Sequence, residues 1–406
     1  MTAQVDNRHK WRMMLLISLA ELLAMAVWFS ASAVVPALTQ AWTLDESGRA
    51  WLTLSVQIGF VVGSFASAWF NLADRIPTRR LMAVSALLAA GATALIPLLA
   101  NDLNTALILR FLTGVFLAGV YPIGMKIMAT WTKADRGLGI GLVVGALTIG
   151  SAAPHLLNVF GGVNDWHLVL FLASGLALVG AGIAALFIEE GPNRSAAPPF
   201  NWKFVVQVAR QRDIVLAQIG YLGHMWELYA MWSWIPTFLL SSFALVGVGP
   251  TWASAVAFAT IAVGGISSVL AGKFADQWGR TTITIIALVV SGLCSLLVGR
   301  FYGGNPIALS ILCLIWGFAV IADSAQFSAC ISELCDRDYI GTALTLQTSL
   351  GFLLTLVSIR LIPTLERTVG WEWAFAILAI GPIIGIWGMA GLRRSPAAAR
   401  LAGGRG

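Results

Sequence analysis

Charge is scarce in this chain. Asp, Glu, Lys and Arg make up 11% of its 406 residues, against 58% apolar residues, and mean hydropathy is +0.83. That leaves too little polar surface to cover a water-soluble globule of this size, so the chain belongs in lipid. Cysteine is scarce as well. Cys294, Cys313, Cys330 and Cys335 lie in or beside apolar runs without metal-ligand or redox spacing, which leaves them as packing residues. No HExxH run and no serine placed with a base is found, so the chain lacks the constellation of an intramembrane enzyme. No metal or cofactor is expected.

Long apolar runs are what the chain does have. A span needs about 20 predominantly apolar residues to cross about 30 Å of hydrocarbon, with every backbone polar group satisfied internally, which points to helices. Twelve runs qualify: 12–36, 50–71, 81–100, 104–129, 137–160 and 166–187, then 214–240, 251–272, 281–300, 306–329, 339–362 and 372–392. The connections are too short for a soluble domain. The predicted fold class is an all-α integral membrane protein of twelve transmembrane helices.

Basic loops stay cytoplasmic. With the N-terminus inside, cytoplasmic segments hold 19 of the 25 Lys and Arg, and the outer ends hold four: Arg49, Arg300, Arg360 and Arg367. Arg110 and Lys126 lie within spans. Both termini are therefore placed in the cytoplasm, in a multi-pass inner-membrane protein, and the basic balance needs no nucleic-acid partner. RHKWR followed by an apolar run ending in SASA has the outline of a secretory signal. The run is long for one and contains Glu21, so it is read as a span.

Residues 21–28, ELLAMAVW, match 227–234, ELYAMWSW, at Glu, Leu, Ala, Met and Trp. Other landmarks repeat at nearly the same interval: Glu21 and Glu227 are 206 apart, Asp74 and Asp276 202, Gly114 and Gly317 203, Trp166 and Trp371 205. The simplest organisation is two six-helix halves, 1–187 and 214–406. They are joined by a cytoplasmic linker, 188–213, that is Pro-rich at first and then a short basic amphipathic helix.

The polar loop NLADRIPTRR, repeated as GKFADQWGR, resembles the loop signature of the major facilitator superfamily, and RFLTGVFLAG (110–119) is similar to its fourth-helix signature. The resemblance covers the whole chain and implies two pseudo-symmetric six-helix bundles rocking around a central cavity lined by the first and seventh helices. It assigns a gating latch to Asp74, Arg75 and Arg79 in the first loop and to Gly272, Asp276, Gly279 and Arg280 in the second. Phe70 and Pro77 stand where the first loop is expected to carry glycine. A carboxylate near guanidinium groups and a helix end makes a latch that can form and break; the plainer reading is that these charges mark the cytoplasmic boundary. Arg110 is implied to serve packing or coupling.

Glu21 and Glu227 fall near mid-bilayer, where an acid facing lipid is prohibitively costly. They are the expected proton or substrate sites; the alternative is a permanently protonated or paired glutamate tying helices together. Glu21, Met25 and Trp28 share one helix face, and His224, Glu227, Met231 and Trp234 share another. His224 could tune Glu227 or be held by a neighbouring helix. Asp323 and Gln326 in span ten are further candidates. If the Trp residues face a cavity beside two carboxylates, a neutral polar or cationic organic solute fits and an anion fits poorly. Lys126, Arg360 and His155 stand against that, although by position Lys126 and Arg360 are expected to snorkel or latch rather than bind substrate.

Gly59 with Gly63, and Gly141 with Gly145, are expected to allow close backbone approach. The function expected is secondary active transport of a small organic solute, coupled to protons, by a monomer in the bilayer. A proton-driven efflux antiporter is the alternative, although GALTIGSAAPHLLN in span five lacks the Gly-Pro pair expected there. A membrane sensor that does not transport is the alternative of another class.

Overall fold

A computed structural model describes residues 7–132, 136–161, 165–193, 202–336 and 340–406, and among these no strand occurs. The first apolar run folds in three pieces, α1 (Asn7–Met25), α2 (Ser30–Ala33) and α3 (Val35–Trp42). Runs two and three are α4 (Glu46–Trp69) and α6 (Thr78–Leu99), with the single turn α5 (Leu72–Arg75) between them. Run four is α7 (Leu103–Leu117) and α8 (Tyr121–Trp131); runs five and six are α9 (Arg136–Gly161) and α10 (Trp166–Leu186). A short helix follows, α11 (Trp202–Arg210). The second series is α12 (Arg212–Leu245), α13 (Pro250–Trp278), α14 (Arg280–Leu297), α15 (Pro306–Ala322) with α16 (Ser324–Leu334), α17 (Ile340–Val369), and α18 (Trp371–Ala374) leading into α19 (Ile380–Arg393).

Eleven stretches among the described residues are long and apolar enough to cross a membrane. The first run is the exception to the twelve predicted, because it is interrupted at Ala26–Phe29 and again at Val34. Pro36 has no N–H to return to the preceding turn, which accounts for the second interruption. The broken run still packs inside the protein, with α1 against α9 and α10. Span four breaks at Ala118–Val120 and span ten at Asp323, positions that correspond at the 203-residue interval of Gly114 and Gly317.

Helix starts on one face are capped by short acceptors. Asp45 accepts from the Gly48 N–H, Asp102 from Thr105, Asp165 from Leu168 and Asn305 from Ile307, each relieving an orphan donor of the first turn. The Thr105 backbone N–H holds the Asp102 carboxyl below its usual range.

The halves copy one another at backbone contacts. A methyl group at Gly114 would run into the Val56 carbonyl of α4, and one at Gly317 into the Thr260 carbonyl of α13. Gly59 and Gly63 meet the α7 backbone at Phe111 and Val115. Gly141 and Gly145 do something different: they face α13 of the other half, at Ser268 and Gly265, and the Ser268 hydroxyl donates to the Gly141 carbonyl at 2.9 Å. Small residues let these backbones approach where lipid offers no hydrophobic drive between helices. The pairs α9 with α13 and α4 with α17 join the two halves. Outside, Leu186, Ile307, Ile383 and Trp387 are exposed as a lipid-facing shell.

Gly114→Ala and Gly317→Ala are each expected to lower stability by about 1–3 kcal/mol through overpacking, read as a lower Tm in detergent. Gly175→Ala and Gly182→Ala, in helical positions with open space around the added carbon, are expected to leave Tm unchanged or raise it slightly.

Candidate functional site

Helix α1 carries Glu21 and Met25, and Trp28 follows in the break between α1 and α2; all three are fully buried. The Glu21 carboxyl is seated against Gly124 of α8, where a methyl group would run into its Oε2. Tyr121, at the start of α8, is within electrostatic reach. Neither Glu21 oxygen has a hydrogen-bond partner among the described residues. An ionised carboxylate with no donor is costly in hydrocarbon.

Glu227 has the same place on α12 and a different surrounding. Its Oε1 accepts from the Trp316 indole at 2.7 Å and its Oε2 from the Ser291 hydroxyl at 2.8 Å. An indole N–H can only donate, so one carboxyl oxygen always meets a proton donor. One turn earlier on α12, His224 Nδ1 stands 2.8 Å from Asp323 Oδ1, with both residues buried. Asp323 occupies the break between α15 and α16, where the corresponding position of span four is Val120. The second half therefore gathers two acids and a histidine where the first has a lone glutamate.

The two glutamates do not meet. Each reaches into its own half, Glu21 toward α8 and Glu227 toward α14 and α15. What lies between the halves is aromatic. Trp28 packs on Phe60 with ring centroids 4.9 Å apart, on Phe352 at 5.6 Å and on Tyr229 at 6.1 Å, and Phe29 packs on Trp232 at 5.8 Å. The indole nitrogens of Trp28 and Trp232 are buried there with no hydrogen-bond partner among the described residues. The expectation of two carboxylates beside the tryptophans is thus replaced by a cluster lined with unused donors. Of the remaining stripe residues, Met25 and Met231 are plain core, and Trp234 donates to the Ile359 carbonyl at 2.9 Å.

Arg110 serves the backbone. Fully buried, it donates to the Val27 carbonyl at 2.8 Å, to the Leu52 carbonyl at 3.3 Å and to the Trp28 carbonyl. Val27 and Trp28 lie in the break between α1 and α2, so the guanidinium takes up carbonyls that the interrupted helix leaves open.

Arg280 centres the second loop. It donates to both Glu333 oxygens, at 2.8 Å through Nε and also through Nη2, and to Gln326 Oε1 at 3.0 Å, with Asp276 at 3.4 Å. Gln326 therefore belongs to this network, away from the aromatic cluster. Gly279 has φ +93 and lies against the Arg405 and Gly406 carbonyls; Thr281 donates to Gly406, and Arg405 to the Asp276 carbonyl. Asp276 also abuts Gly137 at the start of α9, and Gly272 approaches the Gly137 carbonyl, which ties this loop to the other half. In the first loop, Arg75 and Arg79 are exposed and the Asp74 side chain lies outside the described residues. Lys126 donates to the Ala73 carbonyl at 3.0 Å.

Sequence reasoning passed over Trp316, Ser291, Tyr229 and Glu333. Glu333 had a readable signal, an acid at the end of span ten, with Thr130 at the corresponding point of span four. Trp316 and Ser291 had none.

Arg110→Met is expected to strand the carbonyls of the first-span break and destabilise the fold by about 1–3 kcal/mol for each carbonyl left without a donor, seen as loss of monodisperse protein in detergent. Arg75→Gln, on the surface, is expected to be neutral in the same measurement.

The profile of the Major Facilitator Superfamily matches residues 17–359. The 4-hydroxybenzoate transporter PcaK of Pseudomonas putida is 23% identical over 423 residues, covering 94% of this chain and 86% of that protein. The hexuronate transporter of Escherichia coli (strain K12) is 22% identical over 412 residues, covering 93% of each. Among solved structures, the proton:xylose symporter XylE superposes with a TM-score of 0.71 at 15% identity, over 95% of this chain and 96% of that one.

Proposed function

The chain belongs to the Major Facilitator Superfamily, and we propose that within it this protein carries a small organic acid into the cell by alternating access, driven by protons that load on Glu227. It is a membrane transporter of solutes and not an enzyme. The reading divides the chain into rocking bundles, 1–187 and 214–406, tethered by 188–213, with both termini in the cytoplasm of a cell whose inner membrane it spans as a monomer.

The observation that carries the proposal is the setting of Glu227. A buried carboxyl accepting from Trp316 and Ser291 is stabilised when ionised and tolerated when protonated. Opening of the bundles to water on one side and then the other changes the balance, which is what a coupling site requires. The pair His224 and Asp323 gives the proton a neighbouring place to go. Glu21, without a donor among the described residues, serves as the second proton site once water reaches it.

Two observations support an acid as the solute. The cluster between the halves offers flat aromatic faces and unused indole N–H groups, with the carboxyls turned away, so it suits a planar solute bearing acceptors. A cation would find no carboxylate there, which reverses the preference drawn from sequence. The relatives named above carry 4-hydroxybenzoate and hexuronate, both carboxylates. Pivoting falls on the glycine-lined contact of α9 with α13, where backbones slide without side-chain interlock.

In proteoliposomes with an imposed inward proton gradient, labelled 4-hydroxybenzoate is expected to accumulate. Glu227→Gln is expected to abolish accumulation while counterflow exchange continues; accumulation unchanged in Glu227→Gln overturns the coupling assignment. Binding without flux at any gradient would mark a sensor instead.

A further inference from the structure

Lys and Arg are rare on the outer face, where the chain places only Arg49, Arg300, Arg360 and Arg367. Arg300 is occupied, lying over the Trp373 ring at 4.4 Å. The other three converge. They line one cleft of about 420 Å³ together with Asp45, Glu46 and Thr364. Arg49 comes from the first turn of α4, in the first half, and Arg360 and Arg367 come from α17, in the second. Positions 360, 364 and 367 share one helix face, so both α17 arginines are aimed at the same space.

The acids in the cleft are already engaged. Asp45 caps α4 through the Gly48 N–H at 2.7 Å, and Glu46 lies 3.6 Å from Arg367. No carboxylate pairs with Arg49 or Arg360 among the described residues, and the Arg49 Nε is buried without a partner. The start of α4 adds the positive end of its dipole. Two uncommitted guanidiniums lining one cleft of this size fit a small carboxylate, which a guanidinium grips through two parallel hydrogen bonds.

We infer that this cleft is an outer binding site for small organic carboxylates, distinct from the aromatic cluster and assembled from both halves. It rests on the transport reading for its purpose: it would concentrate acid solutes at the mouth of the path and favour them over neutral analogues of the same shape. Because Arg49 rides on one half and Arg360 on the other, an occupied cleft braces the outer ends of α4 and α17 together, so occupancy and bundle position are linked. The cleft reads charge; the cluster reads the ring.

The test is equilibrium binding to the full chain in nanodiscs, with benzoate, glucuronate and benzamide as probes. Both carboxylates are expected to bind, glucuronate because this site needs no aromatic ring, and benzamide at least about tenfold more weakly than benzoate. Arg49→Gln with Arg360→Gln is expected to weaken glucuronate about tenfold or more and to remove the dependence on ionic strength between about 0.05 and 0.5 M. Arg49→Lys with Arg360→Lys, which keeps the charges, is expected to retain most of the affinity and shows that the fold survives. Glucuronate affinity equal in wild type and the Gln variant, or no carboxylate binding at all, overturns the inference. Failure of the transport reading is separate: it appears as absence of benzoate flux in wild-type proteoliposomes and leaves the binding comparison intact.

Discussion

A backbone carbonyl inside hydrocarbon must find a donor within the protein, and here three spans are broken. The break in the first span is the most demanding, since it leaves Val27 and Trp28 without the next turn of helix. Arg110, arriving from α7, takes both carbonyls and adds that of Leu52 on α4. One guanidinium thereby locks three helices, and it fixes the local path that swings Trp28 and Phe29 toward the other half. The aromatic cluster exists in this form because that break is satisfied from outside its own helix.

The two halves share a backbone plan and differ in polar detail. Gly114 on Val56 and Gly317 on Thr260 are the same contact made twice. Around that frame the side chains diverge. Thr113 stands where Trp316 stands, and its hydroxyl donates to its own helix at Leu109; it is too short to serve Glu21 as the indole serves Glu227. Val120 stands where Asp323 stands, and Thr130 where Glu333 stands. The backbone plan is repeated, and differences at a few corresponding positions give the second half two buried acids and a histidine and leave Glu21 in the first without a donor among the described residues.

This division separates three groups of side chains in space. The buried acids Glu21 and Glu227 sit within a half, the aromatic cluster sits between the halves, and the network of Arg280, Glu333 and Asp276 sits at the junction of α13 and α14. They communicate because α12 carries Glu227 and His224 on the side turned inward to its own half and Tyr229 and Trp232 in the core between the halves. Glu227 and the cluster thus share one helix, and that is the physical link on which the proposed coupling rests.

Much of this was legible from the chain. Apolar run length located eleven of the twelve expected spans, because the bilayer sets their length, with ends off by up to seven residues where a helix runs on past the apolar stretch; spacing of Glu, Asp, Gly and Trp pointed to the twofold repeat; the cost of an intramembrane charge singled out Glu21, Glu227 and Asp323, and the fourth-helix resemblance singled out Arg110. Direction could not be read. Periodicity places Glu21 and Glu227 on helix faces, yet which neighbour that face meets depends on how the helices are packed, and packing turned both acids away from the space they were expected to share. The break at Ala26–Phe29 was equally hidden, since its stability comes from Arg110, 82 residues beyond Trp28. The roles of Trp316, Ser291 and Glu333, and the meeting of Arg49 with Arg360 and Arg367, arise only when distant segments are brought together; a pair of groups far apart in sequence has no energy until the fold sets the distance between them.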